Sequence, residues 1–245
     1  MRTIRLHAAL PLAVDAELTL PESASEHAAR VLRLQAGDPL TLFNGDGSDY
    51  QAIICAIAKH CVTVRITSRQ PLQNESTLSL LLAQGIARGD KMDLIVQKAT
   101  ELGVIAIVPL LTERSEVRLD APRALKRVAH WQSVAISACE QSGRARIPVV
   151  QPIQPLADWL ADLSDDGALR LMLMPQAAHS IGGLHFAQAG GVLVIGPEGG
   201  LGETDTRALA QHRFHGLRLG PRVLRTETAG LAALSALQAC HGDLQ

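Results

Sequence analysis

Beyond residue 77 the chain alternates between runs that are almost wholly apolar and segments with helical spacing, and no other feature restricts the fold as much. Leu78 to Ala83, Val104 to Leu111, Leu169 to Met174 and Val192 to Ile195 are predominantly apolar, and Ile147 to Val150 and Leu217 to Leu219 are shorter runs of the same kind. A strand with one wet face alternates apolar and polar residues; a strand covered on both faces does not. Between these runs lie predicted helices. The first spans about Asp90 to Leu102, with Asp90 as its cap and Met92, Ile95, Val96, Ala99 and Leu102 on one face. The second begins at Pro122, places Leu125, Val128, Ala129, Gln132, Ile136 and Cys139 together, and stops at Gly143. Leu156 to Leu163, Asp205 to His212 and Thr226 to Ala239 supply three more. Strands and helices in alternation predict an α/β domain, a parallel sheet with helices on its faces.

The first 70 or so residues read differently. Leu40 to Phe43 runs into Asn44-Gly45-Asp46-Gly47, whose residues tolerate positive φ, and β-branched strands follow over Tyr50 to Ile57 and Val62 to Ile66. Ser25 to Leu34 has helical spacing. The polar, proline-containing stretch Gln70 to Ser76 reads as a linker, so the expected domains are 1–72, rich in β structure, and 73–245, α/β. Aromatic residues are 2% of the chain, so both cores must be aliphatic. No apolar run approaches the roughly 20 residues that span a bilayer, and no signal-peptide stretch follows Met1. Cys55, Cys61, Cys139 and Cys240 form no CxxC pair, which fits reduced thiols in a cytoplasmic protein. His212 and His215 have HxxH spacing without a third ligand, so no metal is expected. The net charge of −1 hides an uneven distribution: residues 78–150 carry ten Lys and Arg against seven Asp and Glu. Phosphate binding depends on such local excess, so nucleic acid is permitted as a partner.

Ligands of parallel α/β sheets bind outside the C-terminal ends of the strands. After Val192–Ile195 stands Gly196-Pro197-Glu198-Gly199-Gly200-Leu201-Gly202, four glycines in seven residues, where a ligand can press against backbone. It has neither the GK[ST] ending of a P-loop nor GxGxxG spacing, which disfavours triphosphates and dinucleotides. After Leu217–Leu219 stands Gly220-Pro221-Arg222-Val223-Leu224-Arg225, two arginines ahead of a helix that Thr226 is expected to cap. That helix, apolar nearly all round from Ala229 to Leu237, must be covered on several sides.

Together the two loops, "VLVIGPEGGLGETD" and "LRLGPRVLRTETAGLAALSAL", resemble the RsmE family of bacterial ribosomal RNA methyltransferases, in the SPOUT superfamily. The resemblance extends to "HAARVLRLQAGD", "GDKMDLIVQKATELGV", "PLLTERSEVR" and "RVAHWQSVAISACEQSGR", and so covers essentially the whole chain. It implies a small PUA-like β-barrel that grips RNA, then a SPOUT-type α/β domain threaded into a C-terminal trefoil knot. It also implies a homodimer and methylation of N3 of a uridine in the decoding region of 16S ribosomal RNA, within the small ribosomal subunit. The methyl donor is S-adenosyl-L-methionine. Its pocket maps to Leu173, Met174 and Pro175, to Gly196, Pro197, Glu198 and Gly199, and to Leu219, Gly220, Val223, Leu224, Arg225 and Thr226.

Uridine N3 carries a proton, so attack on a sulfonium methyl requires a group to stabilise the developing anion, to accept the proton, or both. Arg225 is the candidate for the first role. Glu198 is the candidate to accept the proton or to face the sulfonium. With six aromatic residues in the chain, RNA must be held by cations rather than stacking. Candidates are Arg2, Arg5, Arg30 and Arg33 in the first domain and Arg88, Lys91, Arg114, Arg118, Arg144 and Arg146 in the second. The competing expectations are a SPOUT enzyme acting on another RNA and a ribosome-assembly factor without activity. A doubly wound hydrolase lacks its GxSxG elbow here.

Overall fold

The computed structural model describes residues 4–59, 61–117, 120–164, 167–184 and 190–244. Arg2 and Arg118, both expected at RNA, lie outside the described residues. The chain forms two compact units, one of residues 1–75 with 139–147, the other of residues 76–138 with 148–245. Cys139 to Ile147, which the linear reading placed in the second domain, thus belongs with the first.

The first unit contains β1 (Arg5–His7), β2 (Glu17–Thr19), α1 (Glu22–Glu26), β3 (Pro39–Phe43), β4 (Ser48–Ala58) and β5 (Cys61–Pro71). They make a five-stranded sheet in the order β1-β3-β4-β5-β2, antiparallel except for the β1–β3 pair. The β4–β5 pairing is bulged twice, with Thr67 the extra residue in β5 and Cys55 the extra residue in β4, and each bulge bends the strand that carries it. The turn at Asn44 to Gly47 needs positive φ at Gly45 and Gly47, as expected. Leu6, Leu40, Leu42, Ile54, Val64 and Ile66 are buried together beneath Ala24 and Ala28. The helix expected over Ser25 to Leu34 is α1 continued by a π-helical stretch, His27–Val31, ended by Arg33 at φ 55°. The linker reading of Gln70 and Pro71 is corrected: β5 continues through both, because Asp49 and Ser48 of β4 still pair with them.

In the second unit β6 (Ser79–Gly85), α2 (Lys91–Glu101), β7 (Ala106–Leu111) and α3 (Ala121–Ser142) come first. They are followed by β8 (Val149–Val150), β9 (Gln154–Pro155), α4 (Leu156–Ala161), β10 (Leu169–Leu173) and β11 (His179–Ser180). The last elements are β12 (Gly190–Ile195), α5 (Glu203–Gln211), β13 (His215–Arg218) and α6 (Thr226–His241). The sheet runs β11-β13-β10-β12-β6-β7-β8, with β9 beside β7, and every pairing is parallel. Successive strand residues serve opposite faces. Leu193 and Ile195 join Leu80, Leu82, Met92, Ile95, Trp131, Leu234 and Leu237, whereas Val192 and Val194 join Val108, Leu110, Leu156, Trp159, Met172 and Leu209. This is why the strand sequences do not alternate. No described helix is long and apolar enough to cross a membrane.

Three expectations for helices are corrected. Asp90 makes no side-chain cap on α2; its carbonyl accepts the amides of Asp93 and Leu94. The buried side of α3 carries Trp131, Ala135, Ala138 and Cys139, while Leu125 is 71% exposed, because Trp131 takes the core position and sets the helix rotation. Helix α6 is not covered all round: Leu231, Ala232, Ser235 and Ala236 are half-buried, and Ala239 and Cys240 are exposed.

Candidate functional site

Since every strand of the second sheet points the same way, the ends of β10, β12 and β13 open at one edge. The loops that follow them enclose a cavity of about 580 Å³, within the range of roughly 300–1,000 Å³ that small-molecule sites occupy. Leu173, Met174 and Pro175 form one wall, Gly196, Pro197, Glu198 and Gly199 the second, and Leu219, Gly220, Val223, Leu224, Arg225 and Thr226 the third. All thirteen residues expected at the donor are therefore gathered around one space. Ile195, Leu201, Leu217 and Ala229 add apolar surface, and Lys91, Arg114 and Arg222 add charge.

The glycines are required by space. A Cβ on Gly196 would lie 2.6 Å from the backbone of Gly200, and one on Gly85, at the end of β6, would lie 2.6 Å from Pro197 Cδ. Both distances are far inside van der Waals contact, so these backbones lie against each other with no side chain between them. Gly220 adopts φ 66°, a conformation that suits glycine.

Braces from neighbouring loops fix the glycine segment. Both carboxylate oxygens of Asp205 accept the Glu113 amide, at 3.1 and 3.2 Å, and one also accepts the Gly202 amide at 2.9 Å. Glu113 accepts the Thr204 amide in return at 2.9 Å, and the Arg114 guanidinium donates to the Gly199 carbonyl at 2.9 Å. The Glu113–Arg114 segment is thus a brace of the cavity wall.

Thr226 departs from expectation. It is the first residue of α6 rather than its cap, and its hydroxyl bonds within no helix end. It donates to the Gly196 carbonyl at 2.7 Å and accepts from the Gln84 amide nitrogen at 2.9 Å. The reason is tertiary: the start of α6 lies against the end of β12, and the nearest open acceptor belongs to another loop.

Glu198 and Arg225, the residues expected to act in catalysis, both line the cavity, but in different electrostatic settings. The Glu198 carboxylate accepts from Lys91 Nζ at 2.9 Å and from the Arg88 amide at 3.1 Å. Partial burial would raise its pKa. The hydrogen bonds from Lys91, its own amide and the Arg88 amide, with the charge of Lys91, outweigh that and hold it below the ordinary carboxylate value. The hydrogen bond to Glu198, opposed by desolvation and helped by the charges of Glu198 and Glu227, raises the Lys91 pKa. Lys91 also stands 3.4 Å from Glu227, one of whose oxygens is buried without a hydrogen bond. Arg225 is exposed and has no ion pair among the described residues.

The cations expected at RNA divide sharply. Arg5 and Arg144 are corrected, since the first is half-buried and the second buried in ion pairs of the first unit. Arg5 reaches Asp49 at 2.6 Å and the Cys139 carbonyl at 2.7 Å; Arg144 reaches Glu75 at 2.6 Å. Four of the five N–H groups of Arg5 donate inside the unit, to Asp49 and to the carbonyls of Cys139 and Arg144, and Glu75 neutralises Arg144, so neither is presented to phosphate. Arg30, Arg33, Arg88, Arg114 and Arg146 are exposed. The ion pairs of Arg30 with Glu26 and Arg88 with Glu116 are surface contacts. Gln84, bonded to Thr226 behind the cavity, was not among the expected residues; its signal is a polar residue closing an apolar buried strand. Among the described residues no cluster of His, Cys, Asp and Glu could hold a metal ion.

Comparison with known proteins follows this architecture. A family model described as an RNA methyltransferase domain matches residues 74–238, and one described as an RNA methyltransferase PUA domain matches residues 20–67. The chain is 32% identical over 243 residues to the ribosomal RNA small subunit methyltransferase E of Buchnera aphidicola subsp. Schizaphis graminum, covering 99% of this chain and 98% of that one. A Legionella pneumophila structure with bound SAM superposes over 100% of both chains with a TM-score of 0.95 and 40% identity. The ribosomal RNA small subunit methyltransferase E of Neisseria gonorrhoeae, bound to S-adenosyl methionine, does so with 0.95 and 38%, again over 100% of both chains.

Proposed function

Because this chain belongs to the ribosomal RNA small subunit methyltransferase E family, we propose that it transfers the methyl group of S-adenosyl-L-methionine to N3 of a uridine in the decoding region of 16S ribosomal RNA. The observation that carries this reading is the cavity at the ends of β10, β12 and β13. Its walls are largely glycine backbone and aliphatic side chains, which suit an adenosine and a methionine chain, and its glycine segment has neither the GK[ST] ending nor the GxGxxG spacing of a polyphosphate or dinucleotide loop. The PUA-like unit followed by a SPOUT-type α/β unit is the architecture of the family. The family's trefoil knot belongs to the same reading.

In the reaction the N3 proton passes to solvent water, the N3 electron pair forms the N3–CH₃ bond as the S–CH₃ pair stays on sulfur, and neutral S-adenosyl-L-homocysteine leaves. Arg225, which has no ion pair among the described residues, stabilises the negative charge that develops on the uracil. Of the two roles open to Glu198, its ion pair favours the second. A carboxylate held below its ordinary pKa is a weak base, and serves better as a fixed negative charge toward the sulfonium. The exposed cations Arg30, Arg33, Arg88, Arg114 and Arg146, together with Lys91 at the cavity, contribute to RNA affinity that falls with salt.

The partners are the small ribosomal subunit and a second copy of the chain, in the cytoplasm. The homodimer is supported by the apolar residues Leu231, Ala232 and Ala236 that α6 leaves half-covered. Incubation with methyl-labelled donor and under-methylated small subunits, followed by nucleoside analysis, should yield 3-methyluridine in 16S RNA. Arg225→Ala should lower the transfer rate more than it weakens donor binding. Label in another nucleoside or another RNA, or none at all, would overturn the proposal.

A further inference from the structure

The end of β6, the loop after β12 and the first turn of α6 meet at three polar groups whose hydrogen-bond directions can be assigned from chemistry alone. Gln84 is fully buried at the last polar position of β6. Its amide nitrogen lies 2.8 Å from the Gly85 carbonyl and 2.9 Å from the Thr226 hydroxyl, and its amide oxygen is buried with no hydrogen-bond partner among the described residues. A carbonyl only accepts, so the atom facing Gly85 must be the NH₂ and not the oxygen. The Thr226 hydroxyl therefore accepts from Gln84, and its one proton is left for the Gly196 carbonyl 2.7 Å away. Orphaning the Gln84 oxygen is costly in a buried site, and the chain tolerates it to keep both donors on these acceptors.

We infer that Gln84 and Thr226 form a latch that holds the two donor-binding loops in register, with Gln84 as a positioning residue that does not line the cavity. This deepens the donor-binding reading and rests on it. Gln84 orients the hydroxyl, and the hydroxyl ties Gly196 to the segment that carries Arg225.

Hydrogen exchange in the donor-free chain tests the latch without any ligand. Thr226→Val keeps the shape and removes the hydroxyl; Gln84→Met keeps the length and removes the amide. Each should speed exchange over 196–202 and 220–226 about tenfold, the effect of one net buried hydrogen bond. Each should raise the dissociation constant for S-adenosyl-L-methionine by a similar factor, with the KM for donor changing more than kcat. Thr226→Ser should restore both, which a purely steric role for the threonine would not allow. Unchanged exchange in the Val and Met variants, or no recovery with Ser, would overturn the latch. A parent chain that binds no donor while its variants still show the exchange pattern would instead overturn the donor-binding reading and leave the latch standing.

Discussion

Replacing Gly85 by alanine probes the site through space alone. Gly85 ends β6 at a negative φ that alanine can adopt, so backbone strain does not enter. The new methyl group would lie 2.6 Å from Pro197 Cδ and 2.7 Å from Pro197 N, about 0.8 Å short of the 3.4 Å at which ordinary contact begins. Both atoms belong to a ring fused to backbone, so neither can swing aside. Pro197 lines the cavity and Gly85 does not, so Gly85 lies behind it and the loop is driven into the space proposed for the donor. Overpacking of this kind costs about 1–3 kcal/mol. In a unit of this size that lowers the melting temperature by about 2–12 °C. Each 1.4 kcal/mol carried into the bound state weakens donor affinity about tenfold. Scanning calorimetry and titration calorimetry with S-adenosyl-L-methionine measure the two effects. Gly182→Ala, where an added methyl meets nothing within 4 Å, is the control and should change neither. A Gly85→Ala chain that melts and binds like the parent would refute the claim that β6 backs the donor loop.

Other consequences follow from charge and burial. Because the Glu198 pKa is depressed, its pairing energy is present in full above the ordinary carboxylate value of 4.5 and is lost as pH falls through the depressed one. Donor affinity should therefore hold down to about pH 4.5, and Lys91→Met should move the acid limb to higher pH; an unmoved limb would break the link between the two residues. Burial, opposed mainly by the charge of Arg144, pushes the Cys139 thiol up to about 11. Native alkylation should therefore modify the exposed Cys55, Cys61 and Cys240 and spare Cys139 until the chain is denatured, as read by mass spectrometry. Arg144→Met should destabilise the first unit by about 3 kcal/mol in urea melts, the low end for a broken buried pair since Glu75 is partly exposed. The same substitution should leave the salt slope of RNA binding unchanged, whereas Arg33→Ala and Arg146→Ala, both at exposed cations, should each reduce it.

The alternation of apolar runs and helical spacing was enough to place β6, β7, β10 and β12 and their parallel arrangement, because a doubly covered strand has no polar face to disguise it. The cavity was legible for a related reason. A strand, the loop after it and the next helix are contiguous in sequence, so a glycine-rich stretch after Ile195 and another turn after Leu219 could be assigned to one edge without coordinates. The rotation of α3 was not legible. Leu125, Ala129 and Ile136 share a stripe as regular as the buried one, and only the seat of Trp131 in the core decides between them. The π-helical stretch after Glu26 was equally hidden, since its residues have ordinary helical spacing.

What escaped the sequence has one physical character: partners distant along the chain. Arg5 pairs with Asp49, 44 residues away, and Arg144 with Glu75, 69 residues away. Nothing in the local pattern around either arginine separates it from Arg33 or Arg146, which remain in solvent. Thr226 illustrates the same limit from the other side. Its local context, a hydroxyl residue ahead of an apolar helix, argues for a cap, yet its partners lie 30 and 142 residues away. A cap would have served α6 alone, at about 1 kcal/mol. Spent between loops, the same hydroxyl fixes the separation of the two walls that must close on one ligand, and a shift of about 1 Å there can cost a hundredfold in rate. The local rule therefore fails where the fold has put the group to use for the site, and the direction of each hydrogen bond, rather than the identity of the residue, tells the two cases apart.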